Sequence, residues 1–182
     1  MAHALVFPAP TRRAWLQATL AMAAVVLASN ILVQFPINDW LTWGALTYPF
    51  AFLVSELANR AHGPGHARRI AWIGFAVAVA ASVLLAPLRI ALASGVAFLC
   101  SQLLDIHVFH RLRQGRWWRA PLIATLLAAG LDTALFWSIA FAGEDLPWVT
   151  LALGDLGVKL AMGAALLLPF RIWIGRRAAL SP

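Results

Sequence analysis

Residues 151–170 read LALGDLGVKLAMGAALLLPF. The run is long enough to cross a membrane, for which about 20 apolar residues suffice. Yet it holds Asp155 and Lys159, spaced one helical turn apart. At the centre of a bilayer each charge costs about 2.5–3.5 kcal/mol on insertion scales. Only a partner charge or a polar substrate offsets such a cost, so the fold and the function are read from the same stretch.

The rest of the chain agrees with a membrane setting. Of its 182 residues 62% are hydrophobic and 12% charged, where a soluble domain has about 25% charged. The mean hydropathy is +0.80, and the length suits one integral membrane domain over residues 1–182. The net charge of +7 does not point to nucleic acid, because the basic residues form short clusters between apolar runs. Cys100 is the single cysteine, which rules out an intramolecular disulfide, and its apolar neighbours predict a packed thiol. Arg12 and Arg13 precede an apolar run without a small-residue cleavage site, which reads as a retained span rather than a signal peptide.

Apolar runs and their polar or Pro/Gly breaks predict six spans, at roughly 14–35, 43–60, 68–86, 88–110, 119–142 and 147–170. The expected fold is therefore all-α, a polytopic six-transmembrane-helix bundle. HGPGH at 62–66 is turn chemistry, and Pro87 forces a tight corner between the third and fourth spans. Arginine clusters lie at 12–13, 60–69, 111–119 and 171–177, whereas the intervening loops hold Asp39, Glu144 and Asp145. By the positive-inside rule both termini are cytoplasmic, in a bacterial inner membrane. Trp117 and Trp118 mark an inner boundary, and Trp40, Trp43 and Trp148 outer ones.

Within the spans remain Asn30, Glu56, Gln102, Asp105, Asp132, Asp155 and Lys159. Such groups face a bundle interior or a wet cavity and mark substrate or ion pathways. Bland readings stand beside that one. Glu56 and Arg60 read equally as a helix-end ion pair, and Asp155 and Lys159 as a pair neutralised in a packed core. Gln102 reads as interhelical glue, and Asp105 as a partner for the Arg111 and Arg113 region. Asp132 has no basic neighbour on its own span. Four acids against one base leave carboxylates in surplus, which calls for a donor-rich ligand, a cation or protons. His107 and His110 lack further metal ligands nearby, and HEXXH, GXSXG and Walker patterns are absent. No enzyme, cofactor or metal is expected.

Six blocks carry a family resemblance: SNILVQFPI at 29–37, TWGALTYPFAFLVSELANRAHGP at 42–64, RIALASGVAFLCSQLLDIHVFHRLRQ at 89–114, RWWRAP at 116–121, LDTALFW at 131–137 and DLGVKL at 155–160. In this order they resemble the queuosine precursor transporter family, part of a vitamin-uptake-like group of integral membrane proteins. The resemblance implies import of 7-deazaguanine precursors of queuosine, chiefly 7-cyano-7-deazaguanine and its 7-aminomethyl relative. It also implies that Asn30, Trp43, Gly44, Glu56, Arg60, Arg89, Gln102, Asp105, Asp132, Asp155 and Lys159 occupy motif positions. The corner at Pro87 is shorter than larger members would have, and Gly130 and Leu131 precede Asp132 where more polar company is expected.

The residues fit such a substrate on chemical grounds. A deazaguanine is flat, with N1–H and amine donors on one edge that a carboxylate accepts together. Its O6 wants an amide or ammonium donor, from Gln102, Asn30 or Lys159, and aromatic faces such as Trp43 would sandwich the ring. On this reading Asp132 or Asp105 reads the base edge, and Asp155 holds Lys159 until substrate competes for it. The expected partners are the small-molecule substrate and the lipid bilayer. Other readings stay open: a binding subunit like those of energy-coupling vitamin transporters, a carrier of another vitamin or nucleobase, and a structural membrane protein. A homodimer and a separate energising partner also stay open.

Overall fold

A computed structural model describes residues 7–38, 40–85 and 87–179. Asp39, read above as an outer-loop acid, lies outside the described residues. The order of elements is α1 (Arg12–Leu32), β1 (Pro36–Asn38), β2 (Leu41–Thr42), α2 (Trp43–Thr47), α3 (Pro49–His62), α4 (Pro64–Leu85), α5 (Leu88–Leu112), α6 (Arg119–Phe141) and α7 (Trp148–Ala179). Three prolines mark helix starts in this order, as expected of a residue tolerated in the first turn, whereas Pro169 lies inside α7. Pro49 and Pro64 open α3 and α4, and Pro87 caps α5. Gly63 joins α3 to α4 at φ 83°, where an added Cβ would meet the Phe7 ring at 2.5 Å. Both the left-handed backbone and the close approach require glycine there.

The six spans expected from the sequence are corrected by this architecture. Among the described residues four helices are long and apolar enough to cross a membrane: α1, α5, α6 and α7 as far as Arg176. The run at 43–60 is broken at Pro49, whose missing N–H ends α2 after 5 residues and starts a 14-residue α3. At 1.5 Å per residue α3 reaches only about 21 Å, against a hydrocarbon core of about 30 Å. α4 carries His66, Arg68 and Arg69 in its first two turns, which shortens its apolar length to about 24 Å. The fold is thus an all-α multi-pass membrane protein with an added two-stranded antiparallel ribbon, β1 paired with β2, that apolar periodicity did not predict.

Packing relies on small side chains. α5 lies along α6 and α4, and α1 packs on α4. One cluster joins Met22, Val26, Ala51, Ile70, Ala78 and Phe98, and a second joins Phe109, Ala120, Ala124 and Phe170. Alanines let backbones approach closely, which is how helices associate where lipid offers no hydrophobic contrast. Cys100 was expected to be packed, but it is exposed. The buried face of α5 runs through Ala97, Phe98, Ser101, Gln102 and Asp105, and position 100 points away from it.

The basic segments gather at one end. His62 bonds the Pro8 carbonyl at 3.0 Å, and Arg113 lies 4.4 Å over the Phe7 ring. Arg60 donates to the Arg113 carbonyl at 2.9 Å, while Arg113 donates to the carbonyls of Asn59 and Arg60 at 3.0 and 2.9 Å. Burial, and then the neighbouring Arg60, hold the Arg113 guanidinium below its ordinary value. At the opposite end Arg89 pairs with Glu144 and donates to the carbonyls of Ile139 and Ala142 at 2.8 and 2.6 Å, tying the Pro87 corner to the end of α6.

Candidate functional site

Three buried ionisable side chains meet between α6 and α7. Asp155 and Lys159 share one face of α7 because they are four residues apart, and they are bonded to each other. Lys159 also reaches across to α6, donating to Asp132 Oδ2 at 2.7 Å and to Thr133 Oγ1 at 3.3 Å. An ammonium has three protons, and all three have acceptors here. Asp132, Asp155 and Lys159 are 4%, 8% and 4% exposed.

Hydroxyls and a ring complete the shell. Asp132 Oδ1 accepts from the Tyr48 hydroxyl at 2.7 Å and lies 3.2 Å from Ser101 Oγ. Asp155 Oδ2 accepts from Thr133 Oγ1 at 2.9 Å and from Trp137 Nε1 at 3.4 Å. The Tyr48 ring passes 5.0 Å from Lys159 Nζ, a cation–π distance. Tyr48 stands at the junction of α2 and α3, and its side chain meets Ser101 of α5, Asp132 of α6 and Lys159 of α7. Two carboxylates against one ammonium leave the trio with a net charge of −1 when all are ionised.

The trio opens on a cavity of about 100 Å³, whose other walls include Asn30, Tyr48, Ser94, Phe136 and Trp137. Asn30 accepts from Ser94 Oγ at 3.1 Å, but its Nδ2 is buried with no partner among the described residues. Leaving such a donor unmatched costs about 1–3 kcal/mol. The bonds that Asp155 accepts all fall on Oδ2. The cavity is therefore walled by aromatic faces, carboxylates and an amide whose Nδ2 is unmatched.

Of the residues singled out in the sequence, Asn30, Asp132, Asp155 and Lys159 line this cavity. Gly44 also lines it, whereas Trp43 beside it is 50% exposed. Arg60 and Arg89 lie at opposite ends of the bundle on backbone carbonyls. Glu56 does not pair with Arg60 but accepts from Thr125 Oγ1 at 2.8 Å. Asp105 does not pair with Arg111 or Arg113 but accepts from Ser55 Oγ at 3.3 Å. Tyr48, Ser101, Thr133 and Trp137 were missed. Tyr48 had one signal, being the only tyrosine in the chain and lying inside a family-like block. Ser101, Thr133 and Trp137 also lie inside such blocks, but a serine or threonine in a span commonly bonds its own helix and a tryptophan commonly anchors at an interface.

The chain matches a family model described as "Putative vitamin uptake transporter" over residues 42–87 and 80–174. It is 36% identical over 176 aligned residues to the queuosine precursor transporter of Escherichia coli (strain K12), covering 80% of this chain and 79% of that one. It is 33% identical to the probable queuosine precursor transporter of Haemophilus influenzae, covering 87% and 85%. A probable queuosine precursor transporter of Bacillus subtilis (strain 168) is 25% identical, over 56% of this chain and 57% of that one. No solved structure matches the chain.

Proposed function

The chain belongs to the queuosine precursor transporter family, and on that premise we propose that it imports 7-deazaguanine bases across the bacterial inner membrane for queuosine synthesis in tRNA. The family is one of transporters, not enzymes. The substrates we assign are 7-cyano-7-deazaguanine and its 7-aminomethyl relative.

The observation that carries this reading is a buried charged trio opening on an aromatic-walled cavity with one amide donor unmatched. The Asn30 Nδ2 donor suits the O6 or nitrile acceptor of such a base. A carboxylate of Asp155 or Asp132 suits the N1–H and amine edge, and Tyr48, Phe136 and Trp137 suit its faces. At about 100 Å³ the space suits a small ligand rather than a drug-sized one. The net negative trio favours the cationic 7-aminomethyl form, for which the second carboxylate is at hand. Lys159 is held by both aspartates, and substrate competes with it for them.

The test is rescue of queuosine in a host lacking both precursor synthesis and its own importer, fed low external 7-cyano-7-deazaguanine. Restored queuosine, read as a boronate-gel shift of tRNA, is expected with the wild-type chain and lost with Asp132→Asn. Full rescue by Asp132→Asn would remove Asp132 from the binding set. No rescue by an expressed wild-type chain would overturn the substrate assignment.

A further inference from the structure

The trio does not use every buried acid. Glu56 on α3 and Asp105 on α5 are 4% and 0% exposed, and neither lines the cavity. Ser55, next to Glu56 in the chain, bonds Asp105, so both carboxyls sit at the junction of α3, α5 and α6.

No cation of the surrounding elements is bonded to either acid among the described residues. On α3 and just past α5, Arg60 and Arg113 hold backbone carbonyls. On α7, Lys159 serves Asp132 and Asp155, and Arg171 stacks 5.2 Å over Trp117. His66, Arg68 and Arg69 lie in the first turns of α4, Arg119 opens α6, Arg12 and Arg13 open α1, and His107, His110 and Arg111 end α5. Among the described residues none of these makes an ion pair with Glu56 or Asp105.

An independent feature marks the same place. Gln102 is 0% exposed and lies one turn before Asp105 on the same face of α5, yet neither its Oε1 nor its Nε2 has a partner among the described residues. Asp105 Oδ1 is unmatched as well. A proton would supply one missing partner, since a carboxyl O–H is a donor and the Gln102 Oε1 now has none. It also removes the repulsion between two carboxylates buried without a cation, a costly arrangement in low dielectric.

We propose that Glu56 and Asp105 together carry one exchangeable proton and form the coupling site of a proton-linked carrier. The assignment rests on the transport reading above. The proton is taken up from the outer aqueous side and released to the cytoplasm as the base crosses, so one positive charge enters with each neutral base. The two sites share their supports. Ser101, which touches Asp132, precedes Gln102 on α5, and Tyr48, which bonds Asp132, stands at the start of the helix that carries Ser55 and Glu56. Protonation at one site and occupancy at the other thus bear on the same two helices.

Purified protein in liposomes, with labelled 7-cyano-7-deazaguanine as the probe, separates coupling from transport. Without a gradient, labelled base outside should exchange with unlabelled base inside in the wild type, Glu56→Gln and Asp105→Asn alike, which also shows that the variants fold. With the outside one pH unit more acid and the membrane potential held at zero by valinomycin with equal potassium on both sides, the wild type should accumulate base to about tenfold for one proton per base, and both variants should lose that accumulation. No exchange in the wild type would sink the transport reading itself. Exchange without accumulation, accumulation retained by both variants, or accumulation driven by a sodium gradient alone would overturn the proton assignment and leave transport standing. A pyranine-filled lumen needs no variant: base added to wild-type vesicles should acidify it, and an unchanged lumenal pH overturns the proposal.

Discussion

Lys159 is the residue on which the candidate site turns. Among the described residues its ammonium is the one cation on a buried side chain, and it pairs with Asp132 and Asp155 together. Removing one partner of a buried charged pair costs about 3–5 kcal/mol, because the other charge stays buried without compensation. Lys159→Met should therefore lower the melting temperature in detergent sharply, whereas Lys159→Met combined with Asp132→Asn should recover much of the loss. Equal melting of the single and double variants would mean that the trio is not a coupled unit. The sequence shows why Asp155 and Lys159 meet, since they lie one turn apart on one helix. It does not show that Lys159 also serves Asp132, because that contact depends on how α6 and α7 face each other. The surplus of carboxylates was countable from the sequence, but only the packing reveals that it falls on Glu56 and Asp105.

At the scale of elements, run length misled and break chemistry explains why. The apolar stretch from Trp43 to Arg60 looks continuous to a hydropathy window, yet Pro49 splits it into α2 and α3. The ribbon β1–β2 was equally hidden, its two short strands falling inside what reads as a loop. Its seat is legible in one glycine. A Cβ on Gly154 would run into the backbone carbonyl of Trp40, whereas one on Gly157, a turn further along α7, would meet nothing within 4 Å. Gly157→Ala should accordingly be neutral or stabilising by up to about 1 kcal/mol from helix propensity. Gly154→Ala should push the ribbon off α7 beside Asp155, lowering both melting temperature and uptake. Matching behaviour of the two variants would show that the ribbon does not rest on α7.

Across the whole molecule, charge sorts the two ends. The segments around Phe7, His62, His110 and Arg113 touch one another at one end, while Arg89 and Glu144 close the other. By the positive-inside rule the first of these ends is the one expected in the cytoplasm. A fluorescent protein fused after Pro182 should thus mature and glow, and alkaline phosphatase fused there should stay inactive. An active phosphatase would invert the orientation proposed here. Charge distribution was the most legible layer, because it needs no knowledge of which helices touch. The number of crossing helices was less so, because it depends on where each apolar run is interrupted.

The lone thiol has a practical corollary. Cys100 points away from the packed face of α5, one residue from Ser101 and two from Gln102. The natural chain is thus already a single-label protein, and a spectroscopic probe attached at position 100 would ride on the helix that supports both polar sites without entering either. One substitution, Cys100→Ser, yields a cysteine-free background in which paired labels on α5 and α7 could follow movement between them during a transport cycle.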